Sequence, residues 1–379
     1  MKKIIFYIIY FANKILKKRN YLLFTSTPNY SDNSLAVYEF LYKVYKNDFK
    51  FIWLFENKKE INLDKKIVYV KRHSLKGLYY FFRSKYIFHT HGLYLNATTK
   101  QQIVFSLWHG MPLKRIQYLF PKDLTNIANR KLNINITIAT SDLMAEIVSR
   151  CFNCDISKVK VVGLPRNDYL FDKLKFKNIP EDQKVIVWMP TYRDGINRKE
   201  GVQYEFGLPI VNSKNYSEIN EWCSKNNICI IIKFHPYQKI NNILSGLSNI
   251  KIVSEDIVDE KKHFYSYLGS ADALITDYSS VYIDYLSIDK PIGFILEDYA
   301  KYKDDRGFVF DNPIEYMPGV HIYNIEELKN FIEEIAHNID SSKNLRNTMG
   351  IKLNKFRDNK NTKRFVTEIL PMLLGEKIK

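Results

Sequence analysis

Residues 216–236 read Tyr-Ser-Glu-Ile-Asn-Glu-Trp-Cys-Ser-Lys-Asn-Asn-Ile-Cys-Ile-Ile-Ile-Lys-Phe-His-Pro. The spacing over 216–225 predicts a helix, and 229–234 predicts a strand. The apolar run does not alternate with polar residues. A strand that is apolar at every position is buried on both faces, as in a parallel sheet covered by helices. Outward from this unit the same grammar recurs. Strands are expected at 185–189, 250–253, 273–276 and 291–294, and helices at 281–286, 325–337 and 343–355. Toward the N-terminus, strands are expected at 21–25, 51–55, 67–70, 86–89, 103–106, 134–139 and 160–162, with helices at 34–45, 75–84 and 142–151. The fold class is therefore α/β, with two doubly wound Rossmann-like domains facing across a cleft.

The chain has 379 residues, a length that suits two domains. The polar stretch 171–182, with Pro180, reads as the linker. The expected division is 1–175, 182–350, and a terminal segment 351–379 whose helix near 362–374 folds back on the first domain. Segments 192–208 and 304–318 read as long irregular loops, a place where function concentrates.

The formal net charge is +16. Such a balance suits an anionic partner: a phosphorylated substrate, anionic lipid or nucleic acid. A generally Lys-rich composition explains it equally well. The charge is scattered, without a Lys/Arg run interleaved with aromatics, so a nucleic-acid partner is not expected. Cys151 and Cys154 have CxxC spacing, but Cys223 and Cys229 do not complete a zinc site, and no cluster has metal spacing. No GxGxxG, P-loop or serine elbow is present, which disfavours NAD, ATP and esterase chemistry. No cofactor and no metal are expected.

At the N-terminus an apolar run, Ile4 to Ala12, lies between Lys2-Lys3 and Lys14, Lys17, Lys18 and Arg19. It is too short to span a bilayer, which takes about 20 residues. It lacks a cleavage site, so the chain is expected to stay in the cytoplasm. As a helix it would lie in the inner membrane surface with its lysines toward anionic head groups. A buried first strand or packing helix is the other reading.

Ligands of open α/β sheets bind beyond the carboxyl ends of the strands. Trp108-His109-Gly110-Met111-Pro112-Leu113-Lys114 follows the strand 103–106. An imidazole at such a strand end suits removal of a proton from an alcohol; a structural turn histidine is the plainer alternative. Lys233-Phe234-His235-Pro236 follows the strand quoted at the outset, and alternation puts Lys233 and His235 on one side, within reach of a phosphate. Thr276-Asp277-Tyr278-Ser279-Ser280 precedes a helix, where free N–H groups and two hydroxyls cradle a pyrophosphate, and Asp284 would orient a ligand hydroxyl. Pro190, Thr191 and Arg193 follow another strand, and Gly163-Leu164-Pro165-Arg166-Asn167-Asp168 lies near the domain junction. Arg166 and Arg193 are candidates for bidentate phosphate binding.

These motifs, in this order, resemble the CDP-glycerol glycerophosphotransferase family of teichoic acid synthesis. The match covers roughly residues 100–310, closing with Asp284 and Arg306-Gly307. The resemblance implies a GT-B fold, CDP-glycerol as donor, CMP as product, a lipid-linked saccharide or growing polyol-phosphate chain as acceptor, and peripheral attachment to the inner membrane face, in teichoic acid or capsule synthesis. It makes His109 and His235 the essential pair. Trp108, Gly110, Met111, Pro112, Lys114, Arg166, Pro190, Thr191, Arg193, Lys233, Phe234, Thr276, Ser279, Ser280 and Asp284 would line the donor site. Met111 stands where many members have Thr. The short N-terminus favours a primase-like enzyme. A polymerase or a CDP-ribitol ribitolphosphotransferase of the same family stays open, as does a homo-oligomer. Outside the family the competing readings are a GT-B nucleotide-sugar glycosyltransferase and a basic lipid- or RNA-binding protein.

Overall fold

The computed structural model describes residues 2–56, 67–94, 97–120, 133–195, 198–235, 238, 244 and 246–375. In chain order the first part comprises α1 (Lys2–Ile15), β1 (Arg19–Thr25), α2 (Asp32–Tyr45), β2 (Lys50–Phe55), β3 (Val68–Lys71), α3 (Leu75–Arg83), β4 (Ser84–His89), β5 (Ile103–Ser106), β6 (Ile136–Ala139), α4 (Asp142–Phe152) and β7 (Val159–Val161). The second comprises β8 (Lys184–Trp188), β9 (Asp194–Gly195), β10 (Arg198–Lys199), α5 (Tyr216–Lys225), β11 (Ile228–Ile232), β12 (Ile250–Ile252), α6 (Phe264–Leu268), β13 (Ala273–Thr276), α7 (Val281–Tyr285), β14 (Ile292–Ile295), α8 (Tyr299–Asp305), β15 (Val320–Ile322), α9 (Ile325–Ala336), α10 (Lys343–Leu353) and finally α11 (Asn361–Leu374).

These elements form two compact units. The first holds residues 1–109, 121–168 and 358–379; the second holds 110–120 and 169–357. Each has one parallel sheet, ordered β3-β2-β1-β4-β5-β6-β7 in the first and β12-β11-β8-β13-β14-β15 in the second. Both orders reverse direction once, between β1 and β4 and between β8 and β13, and such a switch point opens a crevice at the strand ends.

Burial explains the strands. Leu22, Leu23 and Phe24 in β1 and all five residues of β11 are fully buried, as covering both faces of a parallel sheet requires. In the first unit Phe24 stacks on Phe51, Trp53 and Phe88, with Phe88 on Phe105. Helix starts are set by polar caps: Ser141 accepts from the Met144 N–H and Asn324 from the Glu327 N–H.

α11 closes the first unit. Asp168 accepts the N–H groups of Asn361 and Thr362, both at 2.9 Å, and Tyr86 donates to the carbonyl of Leu373. Gly163 has φ +81°, and a Cβ there would meet Asn361 Oδ1 at 1.9 Å; only glycine permits this approach.

The division differs from a single cut near 175. Residues 110–120 belong with the second unit because they pair with it: Arg115 N–H donates to Gly307 O and Val309 N–H to Leu113 O. The stretch read as a linker begins the second unit, with Leu174 and Lys177 N–H groups donating to Ser266 O and Ile257 O. Four features escaped sequence reading: the short helices α6 and α8, the three-residue β15, and the pairing of β9 with β10 within the loop 192–208. The N-terminal apolar run is a helix rather than a strand.

Candidate functional site

In the first unit, β1, β4 and β5 lie side by side, with His89 opposite Thr25 on one side and Ser106 on the other. The chain leaving β5 turns at Trp108, which has φ 48°, an unfavourable backbone for a bulky residue. Asn33, at the start of α2, supports the turn. Its Nδ2 donates to the carbonyls of Leu107 and Trp108, both at 3.1 Å, while its Oδ1 accepts the Arg166 N–H at 3.0 Å. The Arg166 guanidinium donates to Asp32 at 2.9 Å, and both residues are buried.

The turn presents His109. Its Nδ1 lies 3.4 Å from the Thr90 carbonyl. A carbonyl only accepts, so this contact favours the proton on Nδ1, and in the neutral ring that makes Nε2 the basic nitrogen. The His109 ring is 4.0 Å from Trp108 and stacks on His91, with centroids 4.2 Å apart and planes 2° apart. Burial lowers the His91 pKa, with Arg72 adding to the shift and Asp32 and Glu56 opposing it. Burial also pulls His89 down to about 4.

In the second unit the corresponding ends are those of β8, β11 and β13. Asp277, just past β13, accepts from Thr191 through the backbone N–H at 2.9 Å and the hydroxyl at 2.5 Å. Its other oxygen takes Arg193 Nη1 at 2.8 Å. Arg193 also donates from Nε and Nη2 to Asp298, at 3.1 and 3.2 Å, and Tyr278 donates its hydroxyl to the same carboxylate. Thr276 Oγ1 donates to Met189 O across the switch point. Beyond β11, half-buried Lys233 lies over the Phe264 ring at 4.9 Å, and burial lowers its pKa. Exposed His235 stacks on Tyr192 at 4.9 Å and 15°. Ser279 and Ser280 are half-buried at the start of α7, and Ser279 Oγ accepts from the Val281 N–H.

A family model described as CDP-glycerol:poly(glycerophosphate) glycerophosphotransferase matches residues 5–371. The chain belongs to this family. Among curated proteins it is 31% identical over 314 residues to the teichoic acid poly(glycerol phosphate) polymerase of Staphylococcus epidermidis, covering 77% of this chain and 42% of that protein. It is 29% identical over 370 residues to the teichoic acid glycerol-phosphate transferase of Staphylococcus aureus, covering 88% and 90%. The chain thus spans less than half of the polymerase's length and most of the transferase's. A solved structure of the wall teichoic acid polymerase TagF has the same fold, with a TM-score of 0.79 at 23% identity over 99% of this chain and 95% of that one.

In this member of the glycerophosphotransferase family the residues expected at the site part into two groups. Trp108, His109, Lys233, His235, Ser279 and Ser280 lie at strand ends with part of their surface open. The others are buried or held by protein partners, and of these only Lys114 is half-exposed. Arg193, 5% exposed, has its donors taken by Asp277, Asp298 and Thr191 O, so it braces two loops rather than offering itself to phosphate. Arg166 is likewise engaged with Asp32. Asp284 is fully buried and accepts the Tyr265 hydroxyl at 2.7 Å. Thr276, Gly110, Met111, Pro112, Pro190 and Phe234 are buried, Met111 completely, and Thr191 is held by Asp277. Lys114 donates to the Tyr302 hydroxyl at 3.4 Å. Arg306 pairs with buried Glu200.

Two expectations about geometry change in the same way. β11 ends at Ile232, so Lys233 and His235 have separate neighbours instead of one shared strand face; Pro236 lies outside the described residues. The helix expected to cradle a pyrophosphate is only five residues long. Sequence reasoning missed His91, Asp32 and Asn33. The available signal was His89-Thr90-His91-Gly92, two further imidazoles at and just past the end of a predicted strand.

Proposed function

We propose that the chain transfers glycerol phosphate from CDP-glycerol to an acceptor hydroxyl on a lipid-linked saccharide or growing polyol-phosphate chain, releasing CMP. Family membership supports the reaction class. The observation that carries the chemistry is the Thr90 carbonyl facing His109 Nδ1, because it leaves Nε2 as the base. Nε2 takes the proton of the acceptor hydroxyl. The acceptor oxygen bonds to the β-phosphorus of the donor as the bond from that phosphorus to the CMP oxygen breaks. Lys233, His235, Ser279 and Ser280 serve the donor diphosphate. Stabilising its growing negative charge is the main task in phosphoryl transfer, and His235 also suits protonation of the leaving phosphate.

The acceptor side of the proposal is a membrane surface. No helix among the described residues is long and apolar enough to cross a membrane. α1 instead turns Ile4, Tyr7, Ile8, Phe11 and Ile15 outward, each 63–67% exposed, while buried Asn13 anchors its other side through Ala97 O and Gln102. Lys14 and Lys17 flank this apolar stripe. Such a helix suits the cytoplasmic interface of an anionic bilayer.

The test offers CDP-glycerol, CDP-ribitol and a UDP-sugar, each with a lipid-linked disaccharide, and identifies the nucleotide released and the product length. CMP release with CDP-glycerol is the expected result. One added unit marks a primase and many mark a polymerase. Turnover of the UDP-sugar alone, or salt-sensitive RNA binding without turnover of any donor, would overturn the reading.

A further inference from the structure

We propose that His91 is a positioning residue for His109: its ring, parallel to that of His109 and 4.2 Å away, sets the plane in which the base takes up its proton. The inference rests on the reading of His109 as the base.

The tripeptide 89–91 grips His109 twice. The Thr90 carbonyl oxygen lies 3.4 Å from Nδ1, and the His91 ring stacks on one face. A lone hydrogen bond of 3.4 Å favours one tautomer only while the ring stays in place, and the ring is free to swing off the carbonyl because the second side-chain torsion of histidine is broad. A flat partner in contact with one face removes that freedom. The partner is itself fixed: His91 Nδ1 lies 3.0 Å from the hydroxyl of fully buried Thr90. The two loops leave adjacent strands from the paired residues His89 and Ser106, so the stack follows from strand order.

The stack also has an electrical condition. At 4.2 Å the two rings disfavour simultaneous protonation, so His91 must stay neutral for His109 to accept a proton. Its surroundings favour that state. Burial lowers its pKa, with Arg72 reinforcing the shift. The two carboxylates that oppose it are both engaged, Asp32 with Arg166 at 2.9 Å and Glu56 with Arg72 at 3.1 Å. His89, on the same strand end, is held neutral down to about pH 4.

The test uses the full chain labelled with ¹⁵N-histidine, the His109 signals being assigned by their loss in His109→Ala. The tautomer and pKa of His109 are read in the wild type, His91→Ala and His91→Phe, alongside kcat and KM for CMP release and thermal melts. In His91→Ala the Nδ1–H tautomer is expected to become mixed and kcat to fall roughly 10–100-fold at nearly constant KM, the scale of a misplaced catalytic group. His91→Phe, which keeps a flat ring, should restore the tautomer and bring kcat to within about threefold of the wild type. An unchanged tautomer and kcat in a folded His91→Ala protein would overturn the proposal. So would a folded His91→Phe protein that stays as slow as His91→Ala, since that would require imidazole chemistry at position 91. Failure of the base reading shows separately, as full CMP release by His109→Ala, while the NMR arm still reports whether His91 orders the ring.

Discussion

Thr191 gives both its backbone N–H and its hydroxyl to one carboxylate oxygen of Asp277, at 2.9 and 2.5 Å. The two residues follow β8 and β13, neighbours on either side of the second sheet's switch point. The other oxygen of Asp277 holds Arg193. Removing one partner of a buried ion pair strands the other charge, at a cost of about 3–5 kcal/mol. Asp277→Asn should therefore lower the unfolding free energy measured by urea titration by that order and loosen the loops after both strands. A loss below about 1 kcal/mol would mean that Asp298 alone holds the guanidinium.

His109→Ala should fold normally and lose CMP release by about 10²–10⁴-fold, the scale of a missing general base. Circular dichroism and steady-state release of CMP from CDP-glycerol decide this together. Trp108→Phe, which keeps an aromatic ring beside the base, should cost much less.

Lys233 is expected to act as a charge. Lys233→Met should raise KM for CDP-glycerol at least tenfold, equivalent to about 1.4 kcal/mol. Burial lowers the pKa of this lysine, so its charge is lost at lower pH than that of an exposed lysine. The alkaline limb of kcat/KM should accordingly fall below the ordinary lysine range, and Lys233→Arg should move it upward. An identical limb in Lys233→Arg would assign it to another group.

Acid should destabilise the first unit through His89. Its folded pKa is about 4 against an ordinary value of 6.5, and its Nδ1 is sealed from water without a hydrogen bond among the described residues. As pH falls through 6.5 the unfolded chain binds this proton first. Stability therefore drops between pH 6.5 and 4, by on the order of 3 kcal/mol at most. Urea titrations at pH 7 and 4.5 should show a smaller difference for His89→Leu than for the wild type.

The outward face of α1 should govern vesicle binding. Ile8 and Phe11 are 63% and 65% exposed, so Ile8→Asp with Phe11→Asp should leave the fold intact. Burying each side chain is worth roughly 1.5–3 kcal/mol. Sedimentation with anionic vesicles should weaken at least tenfold, whereas an unchanged affinity would place the membrane contact elsewhere.

What the sequence determined by itself was whatever depends on near neighbours along the chain. The strands β8, β11 and β13 were legible because burial on both faces leaves short apolar runs without polar alternation. α5 was legible from its spacing, and the loops bearing His109 and His235 from their place just past such strands. What only the tertiary structure decided was which of these side chains are already spoken for. Arg193, Arg166 and Asp284 look like ligand-binding groups in a string of letters, yet each meets a partner far away in sequence: Asp277 and Asp298, Asp32, and Tyr265. His91 reaches His109 only because β4 lies beside β5. Charge and hydrogen-bonding capacity belong to a residue type, but whether they remain available to a ligand depends on contacts that chain folding alone creates.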